Sequence, residues 1–318
     1  MVIIQSIQSI MTILLMISVG YILDRKKWFN EESKKLLSKL VVNISLPAYM
    51  LQNIVTNFTR EKLFEMSGGL LIPFVSIGIC YIVAVVIAKA IKVPKKRFGT
   101  FVTLFFVSNT IFIGLPVNLA LFGEQSIPYV FLYYIANTTF FWTLGVYSIS
   151  KDGDAEDTKL FSIASLKKCF SPPMLGFIIG IIFVIINLKI PFFILDTCKY
   201  LGNLTTPLSM LFIGATMAAV DLKTIRIDKE MIFLNIGRSV ISPLIVIILG
   251  LFIKGPMLMK EVFIIQAAMP GMINISIISK AYNADYEYAA VMITVTTIVS
   301  MISIPIFMAI MDKLPVVI

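Results

Sequence analysis

An apolar run long enough to cross a bilayer is interrupted in its middle by Val107-Ser108-Asn109-Thr110-Ile111-Phe112-Ile113-Gly114-Leu115-Pro116. Pro116 has no N–H and its ring collides one turn back, so a helix through 98–122 has to break close by. In hydrocarbon, each backbone group freed by a break needs a partner inside the protein or in a wet cavity. A proline kink in a purely structural helix would use the same residues, because Pro and Gly are frequent in membrane helices. A second stretch weighs against the plain kink. Gln266-Ala267-Ala268-Met269-Pro270-Gly271-Met272-Ile273-Asn274-Ile275-Ser276 interrupts another apolar run downstream. Two interrupted spans at matching places in two halves point to a transporter's binding site.

Of the 318 residues, 58% are hydrophobic and 14% charged, against about 45–50% and about 25% in soluble domains. The chain reads as an all-α polytopic membrane protein. Met1 to Ile10 has no basic flank and no cleavage site follows, so this segment is expected to be the first membrane helix. There is no His, hence no imidazole relay, and Cys80, Cys169 and Cys198 lack metal-ligand spacing. No Asp or Glu lies deep in a span; Glu124 and Asp285 stand at span ends. With no catalytic cluster at membrane depth, an enzyme is not expected, nor a resident cofactor or a nucleic-acid partner.

Ten spans of bilayer-crossing length are expected at 4–23, 36–56, 68–91, 98–122, 126–149, 172–189, 195–220, 230–253, 259–282 and 286–311. Most of the 27 Lys and Arg residues fall in the loops after the odd-numbered spans. The positive-inside bias then puts both termini outside and the polar connector 150–171 in the cytoplasm. That connector carries Lys151-Asp152-Gly153-Asp154-Ala155-Glu156-Asp157 and reads as a solvated linker.

The two halves resemble each other. One offset carries Lys39, Asn43, Pro47, Met50 and Leu51 onto Lys199, Asn203, Pro207, Met210 and Leu211, Gly20 onto Gly180, and Ile113 onto Ile273. Five spans is an odd number, so the second half enters the membrane upside down. The expected architecture is ten transmembrane helices as two inverted five-helix repeats, 1–149 and 172–318, joined by the linker. The interrupted spans 4 and 9 then cross near the midplane. Half-helix N-termini there offer unsatisfied N–H groups and partial positive charge to an anion.

An ordered set of motifs carries a wider resemblance: Leu46-Pro47; Ser108-Asn109-Thr110 with Ile113-Gly114-Leu115-Pro116; Asn203-Leu204-Thr205-Thr206-Pro207-Leu208; Gly237-Arg238 with Pro243; and Ala268-Met269-Pro270. Nearly end to end, the chain resembles bacterial members of the auxin efflux carrier family, related to plant PIN-type carriers and more distantly to bile acid–sodium symporters. The resemblance implies a scaffold of helices 1, 2, 6 and 7 and a transport domain of helices 3, 4, 5, 8, 9 and 10. It also implies a homodimer, and organic-anion substrates such as indole acetate, malate or malonate.

The substrate-site candidates are Asn109, Thr110, Asn137, Met269, Asn274 and Arg238. Asn109 could also cap the broken helix. Asn137 could equally make an interhelical hydrogen bond. Arg238 could attract the anion, pair with a helix C-terminus or snorkel to the interface. Gly114, Pro116, Pro270 and Gly271 are read as break and crossover residues, and Asn43, Pro47, Asn203 and Pro207 as kinks of the scaffold helices. Gln266 and Asn109 are the weak sodium candidates, on oxygen ligands alone. The expected function is secondary-active or facilitative transport of small organic anions by elevator-type alternating access in the cytoplasmic membrane. The alternative is a sodium-coupled symporter of an amphipathic or neutral solute.

Overall fold

The computed structural model describes residues 2–61, 63, 68–153, 169–220, 225–253 and 255–313. Most of the linker, including the acidic run from Asp154 onward, and both chain ends lie outside the described residues. Among those described, regular structure is helical, apart from one isolated antiparallel bridge. The helices are α1 (Val2–Arg25), α2 (Glu31–Leu40), α3 (Leu46–Asn57), α4 (Leu71–Ala90), α5 (Phe98–Phe106), α6 (Gly114–Phe122), α7 (Ile127–Phe140) and α8 (Val146–Ser150). Then come α9 (Pro172–Ile185), α10 (Phe192–Asn203), α11 (Thr205–Ala218), α12 (Lys229–Ile236), α13 (Ser242–Phe252), α14 (Met257–Ala267), α15 (Asn274–Ala281) and α16 (Tyr286–Lys313).

Four stretches among the described residues are long and apolar enough to cross a membrane without a break: Ile7–Arg25, Gly68–Ala90, Lys229–Phe252 and Tyr286–Met311. Spans 4, 7 and 9 fall outside this group because each is split. Span 4 divides into α5 and α6, span 7 into α10 and α11 at Leu204, and span 9 into α14 and α15. Pro116 is the third residue of α6. It thus stands in a first turn, where its missing N–H costs little, and the break lies on its N-terminal side.

Two prolines shape their helices through a wide turn just upstream. A π-turn, Val41–Ser45, joins α2 to α3 two residues before Pro47, and another, Gly237–Ile241, joins α12 to α13 two residues before Pro243. Each lets the chain bypass a carbonyl that the proline cannot serve. Asn43 and Asn203 are exposed at their bends. Helical structure begins earlier than the expected second span, at Glu31. Asn30 caps it, its Oδ1 accepting from the Ser33 amide at 2.7 Å, and Glu31 and Glu32 suit the positive helix end.

Residues 99–118 and 262–271 are buried throughout, so the two interrupted stretches form the core. Outer helices present apolar side chains outward, as with Ile7, Met11, Leu15, Val19 and Ile22 on α1. This is the surface of a membrane-embedded protein. The glycines allow close packing of α1 on α11 and of α9 on α3. A Cβ on Gly20 would lie 2.4 Å from the Leu211 carbonyl, and one on Gly180 would lie 3.0 Å from Ile54 Cβ and 3.6 Å from Leu51 Cα. The offset that takes Gly20 to Gly180 also takes Leu51 to Leu211, so the two contacts are reciprocal.

At one end of the molecule Arg97 pairs with Glu230 at 3.3 Å and lies over the Tyr288 ring at 5.0 Å, tying the starts of α5, α12 and α16. The same end corrects the solvated reading of the linker's first acid. Asp152 is buried, and its carboxylate accepts from the Gly99 and Thr100 amides at 2.5 and 2.6 Å and from Thr100 Oγ1 at 2.8 Å. It caps α5, whose own sequence supplies no side-chain cap.

Candidate functional site

The two breaks meet. Val107–Ile113 and Ala268–Ile273 pass each other, Ser108 bridging antiparallel to Gly271. The Asn109 amide donates to the Pro270 carbonyl at 2.8 Å. Asn137 closes the other edge. Its Oδ1 accepts from the Ser108 amide at 2.8 Å and its Nδ2 donates to the Ser108 carbonyl at 3.0 Å, so a side-chain amide stands in for a third strand. Further braces come from Gln266 Nε2 donating to the Thr110 carbonyl at 3.3 Å and from the Gly271 amide donating to Thr296 Oγ1 at 3.2 Å. Part of the broken backbone is thereby satisfied from within.

Arg238 lies under the crossing, 2% exposed. It donates through Nη1 to the Phe105 carbonyl at 3.0 Å, through Nε to Met269 O at 3.0 Å, and through Nη2 to Ala267 O at 3.1 Å and Ser108 Oγ at 2.6 Å. The Phe105 and Ala267 carbonyls close α5 and α14, with Met269 just past the second, and a helix end leaves its last carbonyls unbonded and partly negative. Of the roles open to Arg238 on sequence, this geometry is the pairing with helix C-termini. No carboxylate pairs with it among the described residues.

The facing side holds donors without acceptors. Asn109 Oδ1 accepts from the Phe112 amide at 3.2 Å, a local cap, while its Nδ2 is buried without a partner. At the start of α15, the amides of Met272, Ile273 and Asn274 take no backbone acceptor among the described residues. The crossing can therefore offer hydrogen bonds to a negatively charged group, with a guanidinium bonded to the same backbone. Two buried acceptors also lack donors, Gln266 Oε1 and Asn118 Oδ1.

Asn109, Thr110, Asn137, Arg238, Met269, Pro270, Gly271, Gly114 and Gln266 are all brought to this crossing, and Asn274 opens α15 half-buried beside it. Asn43, Pro47, Asn203 and Pro207 belong instead to the bends of α2–α3 and α10–α11. Of the two sodium candidates, Asn109 Oδ1 is already engaged and Gln266 Oε1 is not. Among the described residues no group of His, Cys, Asp or Glu could hold a metal ion.

Sequence reasoning did not name Ser108, Asn118, Thr296, Lys260 or Asp152 among the site residues. Lys260 Nζ donates to the Gly250 carbonyl at 2.6 Å, at the C-terminal end of α13. Asn118 and Lys260 are polar residues inside predicted spans, a signal that was present to be read. Asp152 has none, being one acid in a polar connector.

Residues 5–308 match the family model described as membrane transport protein. The chain is similar to an uncharacterised transporter of Methanocaldococcus jannaschii, 27% identical over 93% of this chain and 95% of that one. It is similar to an uncharacterised transporter of Methanothermobacter thermautotrophicus, 25% identical over 95% and 97%. A Rhizobium meliloti protein named "Putative malonate transporter" is 20% identical over 91% and 90%.

Proposed function

The chain belongs to the membrane transport protein family, and we propose that it is a secondary-active or facilitative carrier of small organic anions such as mono- or dicarboxylates. The observation that carries this is the set of unpaired donors at the crossing. Asn109 Nδ2 is buried without a partner, the amides of Met272, Ile273 and Asn274 take no backbone acceptor among the described residues, and the Arg238 guanidinium is bonded to the same crossing. A carboxylate supplies the missing acceptors and meets a partial positive helix end. The name of the Rhizobium meliloti relative points to the same ligand chemistry.

The carrier works by elevator-type alternating access, with helices 1, 2, 6 and 7 as scaffold and the crossing carried by the remaining helices. Two inverted five-helix repeats, 1–149 and 172–318, make up the fold. The reciprocal packing of Gly20 on Leu211 and of Gly180 on Leu51 and Ile54 supports this symmetry. The protein sits as a homodimer in the cytoplasmic membrane, with both termini outside and the 150–171 linker inside. Counterflow of radiolabelled malonate and indole-3-acetate into proteoliposomes tests the function. Accumulation against preloaded unlabelled carboxylate is expected, and no counterflow with any carboxylate would end the reading.

One observation favours the alternative, sodium-coupled reading: Gln266 Oε1 is a buried oxygen with no donor. A rise in melting temperature specific to Na+ over K+ or choline would select it.

A further inference from the structure

We propose that the electrical charge of the transport cycle moves with the empty site and not with the loaded one, for a monoanionic guest. The inference rests on the anion reading above and adds the step on which the membrane potential acts.

Arg238 is seated at the crossing with its hydrogen bonds on Phe105, Ala267, Met269 and Ser108, and no carboxylate pairs with it among the described residues. A guanidinium stays protonated in such a setting. Four helix ends border the two breaks. The C-termini of α5 and α14 each bring roughly half a negative charge, and the N-termini of α6 and α15 each roughly half a positive one. The half-charges cancel in pairs and the guanidinium's charge remains. The other buried charges among the described residues sit away from the crossing: Glu230 pairs with Arg97 and Asp152 caps α5 at one end of the molecule, and Lys260, at the start of α14, bonds the Gly250 carbonyl. The empty crossing is therefore a site of about one positive charge, held by backbone rather than by a counterion.

A bound monocarboxylate neutralises it; a dianion reverses it. When a neutral loaded site changes sides, the field does no work on it. When the empty site returns, one positive charge crosses. Moving one elementary charge through 100 mV biases an equilibrium up to about fiftyfold. An inside-negative potential then draws the empty site to the cytoplasmic side, where it collects its next guest, and the cycle runs as export.

The experiment uses the full chain in proteoliposomes, with the potential clamped by K+ and valinomycin. Radiolabelled indole-3-acetate, a monoanion at pH 7.5, is followed both as one-for-one exchange and as net efflux, and malonate, a dianion, is exchanged in parallel. Exchange of indole-3-acetate unaffected by potential, net efflux accelerated severalfold by an inside-negative potential, and malonate exchange sensitive to potential are the expected results. Indole-3-acetate exchange that changes severalfold with potential overturns the inference while leaving the anion reading intact. Absence of exchange with either compound and with every other carboxylate overturns both. Arg238→Gln makes the empty site neutral, so whatever indole-3-acetate exchange it retains becomes sensitive to potential. Arg238→Lys keeps the wild-type pattern. The wild-type measurement decides the matter even where the Gln variant does not fold.

Discussion

The amide of Asn109 donates to the carbonyl of Pro270 across 2.8 Å, joining two breaks that lie far apart in the chain. The contact is made by backbone, so the Asn109 side chain is free for another task. Its Oδ1 caps Phe112 and its Nδ2 is left over. Asn109→Asp keeps an acceptor for the Phe112 amide and replaces the spare donor by a second carboxylate oxygen. Counterflow of organic anions is expected to fall at least tenfold, with a melting temperature in detergent within a few degrees of wild type. Counterflow at wild-type rate would remove Asn109 from the binding site.

Arg238 serves the carbonyls of Phe105 and Ala267, in two different helices, and of Met269 just beyond the second. Arg238→Met leaves them buried without donors, at about 1–3 kcal/mol each. At about 2–4 °C per kcal/mol, a fall in melting temperature of roughly 10 °C is expected. Arg238→Lys retains the charge but not the planar fork that reaches both helix ends. It should melt between the two. A Met variant as stable as wild type would mean that the helix ends find other partners.

The breaks were legible from sequence because Asn, Gly and Pro stand out in an apolar run, and their pairing was legible because two halves share one offset. The partner of each polar residue was not. Asn137 could as well have faced a guest as a neighbour, and only the fold sets it on both backbone groups of Ser108. For Arg238, depth in a span signals importance but not whether the charge meets a ligand or a helix end. Asp152 was invisible because it caps a helix that begins about fifty residues earlier, a relation with no local signature.

Gly237 sits one residue before Arg238, where α12 meets the π-turn. A Cβ there would lie 2.1 Å from Cε2 of Phe105, itself fully buried at the end of α5. The ring has no room to yield. Gly237→Ala is expected to destabilise by about 1–3 kcal/mol through overpacking. Phe105→Leu in the same chain should recover part of that loss, because the two changes share one contact. Losses that simply add in a double-mutant cycle would refute the contact.

Asp152 supplies the test that depends on pH. Burial, opposed by the bonds from Gly99 and Thr100, pushes its carboxyl up from 3.8 to about 6; Asp285 also raises it by repulsion. The folded state therefore holds this proton more tightly than the unfolded state. Stability from this group is present below about pH 4 and is lost as pH rises through about 6. Lowering pH from 7 to 5 should raise the melting temperature of wild type by a few degrees relative to Asp152→Asn, which has no carboxyl to titrate. Thermal unfolding of both proteins across that range, followed by tryptophan fluorescence, gives the comparison. A relative fall of wild type on acidification would mean that the cap on α5, with its need for a charged carboxylate, outweighs the cost of burying it.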